Sequence, residues 1–326
     1  VASSGSLSPD SIRNTPSPAQ PNKRLDDLFD EVDRVLGDGA AQWDNYVLVV
    51  DLFRLSGNWL VRWDGVKIDE IDEQGLYGLW REDMRDEIGD LILTALDSHA
   101  EERNITHVVI GHEMERLLVT GDDFPGSPTE FANFAFFYNV TRERIKEDYP
   151  DIQVSAGINW DRLSTDVAAQ YTVGGTVDEV QFGDIRRAWQ EVAEQVYAES
   201  DFLGLSANPE PSYYGGNPSG LPDSQYALLA EVQDARPIVW YAVNWPITND
   251  SEKNTQKDFF ERFLALNAGN TVDLIAYRNL MDQATGPGGE CNSILALGGE
   301  VQECFSGIFS TSAAPTKVTD VFVPAE

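Results

Sequence analysis

Short runs rich in apolar residues alternate along this chain with segments of helical period. The runs cover residues 46–53, 105–111, 152–158, 202–206, 238–243 and 272–277. Apolar residues at consecutive positions predict strands that are buried on both faces. Strands of this kind separated by amphipathic helices predict a parallel sheet covered by helices. The order of elements therefore restricts the chain to an α/β fold.

The spacing of the strands fits either a (β/α)8 barrel or a doubly wound sheet. The sequence has no Gly-x-Gly-x-x-Gly motif after its first strand and no phosphate-binding Gly-x-x-x-x-Gly-Lys-Ser/Thr motif. The absence of these motifs argues against a doubly wound sheet that binds nucleotides. We therefore predict an α/β fold of the (β/α)8 TIM-like barrel type. Six strands are two fewer than a closed barrel needs, and the missing two must precede residue 46. Either the N-terminal arm contributes short irregular strands, or the barrel is incomplete at its N-terminal end, or a removed upstream piece or another chain supplies them.

The predicted domain organisation is simple. Residues 1–23 are rich in Ser, Pro and Asn, a composition typical of an extended arm. We predict a single (β/α)8-type domain over residues 24–326, with a C-terminal loop segment over residues 283–326. A hydrophobic content of 42% is sufficient for a large core.

The charge of the chain excludes one class of partner and its cysteines indicate a compartment. The formal net charge of −32 argues against nucleic acid, because a phosphate backbone requires a basic face. The sequence contains no run of about 18 apolar residues, so we predict no membrane span. Cys291 and Cys304 are too few for a cysteine-based zinc site, and we expect no metal and no cofactor. We expect these two cysteines to form a disulfide that closes a surface loop, with two unpaired thiols as the alternative, and we expect a secreted or extracellular protein.

Carboxylates and aromatic residues follow the predicted strands, where a barrel of this type places its active face. Aromatic rings stack on the apolar faces of sugar rings, and carboxylates bind hydroxyls or transfer protons. The sequence therefore predicts a polysaccharide or oligosaccharide as the partner. The predicted binding residues are Asp51, His112, Trp160, Asn208, Tyr214, Asn244, Trp245 and Asp282.

Two strand ends resemble those of the clan A glycoside hydrolases. The strand that ends in Gly111-His112-Glu113 is similar to the fourth strand of that clan, whose Gly-Asn-Glu ending carries the general acid/base. The stretch 236–246, which contains Ala242-Val243-Asn244-Trp245-Pro246, resembles the seventh strand, which ends in Glu-x-Gly-Trp-Pro with Glu as the nucleophile. Residues 201–206 are similar to the sixth strand of the endo-galactanase and β-glucanase branches. The resemblance covers roughly residues 45–282 and implies Glu113 as general acid/base and Ala242 as the position of a missing nucleophile.

The alanine decides whether the resemblance extends to catalysis. A retaining glycosidase needs two carboxyl groups about 5–5.5 Å apart, so no covalent glycosyl-enzyme forms with alanine at position 242. Three explanations remain open: a catalytic knockout made to trap substrate, a natural barrel that lost catalysis and kept binding, or an enzyme whose second carboxylate comes from Glu210, Asp161 or Asp282. An inverting pair, with carboxyl groups about 6.5–9.5 Å apart, needs less exact placement of the second carboxylate.

The resulting hypothesis is a glycoside-hydrolase-like barrel that binds a β-linked polysaccharide and hydrolyses it if the second carboxylate is restored or supplied elsewhere. The alternative is a naturally non-catalytic carbohydrate-binding or structural extracellular protein on the same scaffold. A functional Glu113 should face an open space at the strand ends. Burial of Glu113 in an ion pair with Arg116 or Arg278 is the competing expectation.

Overall fold

Seven parallel strands form the centre of the computed structural model. The structure describes residues 2–7, 46–50, 52, 82–101, 103–121, 124–125, 128–233, 236–247, 252–277, 279–281 and 307–309. The strands are β1 (Ala2–Leu7), β2 (Tyr46–Val50), β3 (Ile105–Ile110), β4 (Gln153–Asn159), β5 (Leu203–Ala207), β6 (Ile238–Val243) and β7 (Val272–Tyr277). Each pairs in parallel with the next, and β1 also pairs with β7, so the sheet closes into a barrel.

Strand β1 comes from the segment that the sequence places in an extended arm. It pairs with β2 through Ser4 and Val47 and with β7 through Ala2 and Ala276. The arm therefore contributes a barrel strand, which is one of the three explanations left open by the strand count. The described residues contain seven barrel strands, one fewer than a complete (β/α)8 barrel. The predicted fold class, with its irregularity at the N-terminal strands, is confirmed.

Helices surround the barrel. The long ones are α1 (Glu82–His99), α2 (Pro128–Asp148), α3 (Phe182–Val192) and α4 (Lys253–Leu266). Short helical segments lie at Met114–Leu118, Trp160–Arg162, Leu163–Val167, Val177–Glu179, Ala193–Tyr197, Pro211–Tyr214, Pro218–Gly220, Ser224–Ala227 and Leu229–Val232. Thr120–Gly121 pairs antiparallel with Phe124–Pro125, and Asn279–Met281 pairs with Gly307–Phe309. The last strand lies within the predicted C-terminal loop segment, most of which is outside the described residues.

The strands are apolar on both faces because each face is covered. Alternate residues such as Leu48, Val108 and Val154 point outward and pack with the helices in one large cluster. The other face forms a second cluster inside the barrel, with Val47, Val109 and Tyr241 among its members. Two separate apolar layers thus require nearly continuous apolar strands.

The barrel interior holds small residues beside large ones. A Cβ atom at Gly157 would lie 2.8 Å from Val109 Cγ1 and 3.0 Å from the Tyr241 hydroxyl, and would overlap the Gly111 carbonyl. The Gly111 carbonyl, Val109 and the Tyr241 hydroxyl therefore fill the space that a side chain at position 157 would need. No helix among the described residues is long and apolar enough to cross a membrane.

Candidate functional site

A sharp turn follows β3 and carries Glu113. Gly111 and Glu113 have φ angles of 83° and 54°, in the left-handed region that residues other than glycine seldom adopt. A side chain at Gly111 would overlap Met114 and meet the Phe134 ring at 3.0 Å. The left-handed Glu113 then begins the helical turn Met114–Leu118. This backbone turns Glu113 back over the end of the barrel.

Glu113 is fully buried and its carboxylate is held by donors on both oxygens. Arg116 donates to Oε2, and Asn159 Nδ2 donates to Oε1 at 2.9 Å. His112 Nε2 lies 3.6 Å from Oε1, and the Glu113 backbone N–H donates to the Tyr241 hydroxyl at 3.2 Å. Burial of a charged group requires such pairing. The expectation that Glu113 faces an open space is therefore wrong, and the competing expectation of an ion pair with Arg116 is confirmed.

Glu115, two residues later, is a second buried carboxylate that the sequence analysis did not include in the site. Its Oε2 accepts from the Asn159 backbone N–H at 2.7 Å, and Arg162 Nε lies 3.3 Å from its Oε1. Burial, followed by the charge of Glu113, raises the pKa of Glu115 to about 8. The only signal in the sequence is the spacing of two carboxylates just after a strand.

Asp161 is a third buried carboxylate, beyond the end of β4. Its Oδ1 accepts from Gln225 Nε2 and from the Tyr226 hydroxyl, both at 3.0 Å. Its Oδ2 accepts from the Asn208 backbone N–H at 3.0 Å. Burial raises the pKa of Asp161 to about 7, although the hydrogen bonds lower it in part. Asp161 therefore changes protonation state near neutral pH.

Both predicted sugar-stacking tryptophans lie in the core instead. Trp160 is fully buried, donates from Nε1 to the Gln225 carbonyl at 2.7 Å, and packs edge-on against Trp189. Trp245 is 2% exposed and packs against Phe259, with ring centroids 5.4 Å apart. Both belong to the layer between strands and helices. Both side chains therefore pack between strands and helices, and their contact with a sugar stays a prediction.

Asn244 is also structural in its contacts. It is 3% exposed, its backbone N–H donates to the Ala207 carbonyl at 2.8 Å, and its Oδ1 accepts from Gln256 Nε2 at 3.3 Å. These bonds join the end of β6 to β5 and to α4. Asn244 therefore has a structural role, and its role in binding a ligand stays a prediction.

The accessible side chains near these carboxylates come mainly from the loop after β5. Asn208 and Tyr214 are half-buried, and Tyr213 is 47% exposed. The Tyr213 hydroxyl donates to Asp166 Oδ1 at 3.2 Å, which joins this loop to the one after β4. Beside Glu113, the side chains of His112 and Arg116 are 13% and 21% exposed. Predicted residues Asp51, Asp282, Cys291 and Cys304 lie outside the described residues.

Ala242 faces the barrel interior because of a β-bulge. Leu205 pairs with Trp240, but the next residue of β5, Ser206, pairs with Ala242. The extra residue on β6 disrupts the alternation of faces. Tyr241 and Ala242 consequently both belong to the interior cluster, and Ala242 is 7% exposed. Position 242 thus has the inward placement expected of a functional strand end, but it carries a methyl group.

The chemistry available here is that of hydrogen bonding and proton holding. Three buried carboxylates (Glu113, Glu115 and Asp161) lie at the ends of β3 and β4, with Arg116 and Arg162 beside the first two. Within the described ranges, no group of three or more His, Cys, Asp or Glu residues is arranged to hold a metal ion.

Comparison with known proteins finds solved structures that share this fold. No protein-family model matches the sequence, and none of the curated proteins matches it. Solved structures do match, and those described here are glycoside hydrolases. An exo-β-1,4-mannosidase from Opitutaceae bacterium strain TAV5 is similar over 98% of this chain, with a TM-score of 0.57 and 12% identity. The match covers 51% of the mannosidase, so the chain spans about half of its length.

Two further structures give the same result. A double mutant of the β-glucosidase from Trichoderma harzianum has a TM-score of 0.58 and 14% identity, over 99% of this chain and 83% of its own. The GH53 catalytic domain of Ignisphaera aggregans has a TM-score of 0.52 and 12% identity, over 92% and 77% respectively. At these identities the similarity establishes a shared barrel fold and nothing about activity.

Proposed function

We propose that this protein binds a β-linked polysaccharide or oligosaccharide at the carboxyl end of its barrel, and that it does not hydrolyse it by a retaining mechanism. The observation that carries the proposal is the inward-facing Ala242 at the end of β6, in a barrel whose structural neighbours are glycoside hydrolases. The scaffold supports glycan binding, and the alanine argues against the covalent step.

The surroundings of Glu113 support the absence of hydrolysis. A general acid must carry a proton to the leaving-group oxygen. Both oxygens of Glu113 face donors, an arrangement that favours the ionised form. Arg116 would also have to move before a glycosidic oxygen could approach. Position 242 supplies no second carboxylate, so neither partner of a retaining pair is in a working state.

Binding is proposed to use the accessible groups around this cluster. Tyr214, Tyr213 and Asn208 lie on the loop after β5, and Asp166 accepts a hydrogen bond from the Tyr213 hydroxyl. Aromatic rings and carboxylates in one exposed region suit a pyranose ring with its hydroxyls. Secretion belongs to the same proposal, because polysaccharides of this kind are found outside the cell.

The test combines binding and hydrolysis on a panel of β-linked glycans. Affinity electrophoresis and calorimetry measure binding, and release of reducing ends measures hydrolysis, for the protein as it is and for Ala242→Glu. Ala242→Gln is the matched control, since it has the same size without the charge. We expect binding without hydrolysis in the unsubstituted protein.

The outcomes separate the alternatives. Hydrolysis in Ala242→Glu but not in Ala242→Gln would show that only the missing carboxylate prevents catalysis. Hydrolysis by the unsubstituted protein would overturn the non-catalytic proposal and would point to a carboxylate supplied from elsewhere. Failure of all three proteins to bind any glycan in the panel would overturn the proposed binding function.

A further inference from the structure

Asn159 bridges the two buried carboxylates after β3. Its backbone N–H donates to Glu115 Oε2 at 2.7 Å, and its side-chain Nδ2 donates to Glu113 Oε1 at 2.9 Å. The orientation of the Asn159 amide is fixed, because its Oδ1 accepts from the Arg162 backbone N–H at 3.1 Å. Asn159 is itself 1% exposed. One residue thus donates a hydrogen bond to each of the two carboxylates.

The two carboxylates differ in how many of their oxygens accept hydrogen bonds. Both oxygens of Glu113 accept, from Arg116 and from Asn159. Within the described part of the chain, Oε2 of Glu115 accepts one hydrogen bond, whereas Oε1 accepts none and lies in an ion pair 3.3 Å from Arg162 Nε. Glu115 therefore has fewer hydrogen bonds to lose than Glu113 when it takes up a proton.

We propose that Glu113 and Glu115 share one proton at neutral pH, that Glu115 carries it, and that Glu115 is a positioning residue that holds the ionised Glu113 in place through Asn159. Two ionised carboxylates bridged by one asparagine in a fully buried site would repel each other at low dielectric. A neutral Glu115 removes that repulsion and still accepts from the Asn159 backbone. The inference is independent of glycan binding and would stand if no sugar binds.

The charged and titratable groups around Glu115 agree with this assignment. Glu113 lies on the same turn and opposes ionisation, whereas Arg162 and Arg116 favour it. Burial is the largest influence, and together these effects raise the pKa of Glu115 to about 8. Tyr197 and Tyr241 lie within the electrostatic range of Glu115, and their own pKa values are raised chiefly by burial, so neither supplies a compensating charge. Glu115 is therefore neutral at pH 7 and ionises in mildly alkaline solution.

Infrared titration of protein labelled with ¹³C at the glutamate side-chain carboxyls tests the assignment. The label separates glutamate bands from those of Asp161 and the other aspartates. We expect one protonated buried glutamate at pH 7 that loses its proton near pH 8. Glu115→Gln should lose this band, and its amide oxygen should still accept from Asn159. Glu261→Gln, at a side chain 57% exposed, is the matched control and should leave the band unchanged.

Glu113→Gln determines which carboxylate carries the proton. If Glu115 carries it, removal of the neighbouring charge keeps the band and moves its titration to lower pH. Absence of the buried protonated band from Glu113→Gln at every pH of the titration would place the proton on Glu113 and overturn the proposal. Absence of any protonated glutamate at pH 7 in the unsubstituted protein would overturn it as well, whether or not Glu115→Gln folds.

Discussion

Replacement of Asp161 by asparagine should change how stability depends on pH. Asp161 is buried, and its pKa rises from the usual 3.8 to about 7. The folded protein therefore keeps this proton between about pH 4 and pH 7, while the unfolded chain releases it near pH 4. The corresponding stabilisation is fully present below pH 4 and is lost as the pH rises through 7.

The magnitude follows from the two pKa values. A difference of one in pKa corresponds to about 1.4 kcal/mol, so the rise from 3.8 to about 7 amounts to about 4 kcal/mol at most. Asp161→Asn cannot titrate. Its amide also places a donor toward either Gln225 Nε2 or the Asn208 backbone N–H, which costs about 1–3 kcal/mol at every pH.

The assay is urea unfolding of both proteins at several values between pH 4 and 8, followed by tryptophan fluorescence. We expect Asp161→Asn to be the less stable protein at pH 4 and to gain up to about 4 kcal/mol relative to the unsubstituted protein by pH 7.5. Asp151→Asn, at an exposed position, reports the effect of the same chemical change at the surface. Parallel stability curves for the unsubstituted protein and Asp161→Asn would refute the reasoning.

Two further substitutions test the packing around the site. Gly157→Ala places a Cβ against the Gly111 carbonyl inside the barrel and should destabilise the fold by about 3 kcal/mol, measured as a lower Tm by calorimetry, whereas Gly269→Ala, with open space around it, should change stability little. An unchanged Tm in Gly157→Ala would contradict the described interior packing. Trp160→Phe removes the hydrogen bond to the Gln225 carbonyl and should cost about 1–3 kcal/mol in urea unfolding without a separate loss of glycan affinity. Loss of glycan binding at full stability would restore Trp160 as a binding residue.

Much of the fold could be predicted because a strand that is buried on both faces has an apolar sequence. Strands β2 and β6 are apolar at every position and β3, β5 and β7 at most positions, and that pattern needs no tertiary information. Strand β1 has the sequence Ala-Ser-Ser-Gly-Ser-Leu, which contains no apolar run. It forms a strand because β2 and β7 offer it hydrogen-bonding edges on both sides.

The candidate site was predicted only in part. The sequence located Glu113 and Ala242 at strand ends, since strand boundaries can be inferred from hydrophobicity alone. It did not reveal that Asn159 holds both Glu113 and Glu115, because that contact joins residues 46 positions apart in the chain. It also placed Trp160 and Trp245 at a binding face when both lie in the core.

The sequence by itself therefore determined the parallel barrel and the absence of a carboxylate at position 242. Only the tertiary structure decided which way each strand-end side chain points and what it meets. The physical reason is that strand faces alternate with every residue, so a single bulge such as the one at Tyr241 and Ala242 changes the direction of the side chains that follow. The protonation of a buried carboxylate likewise depends on donors brought by distant segments, and those are set by folding.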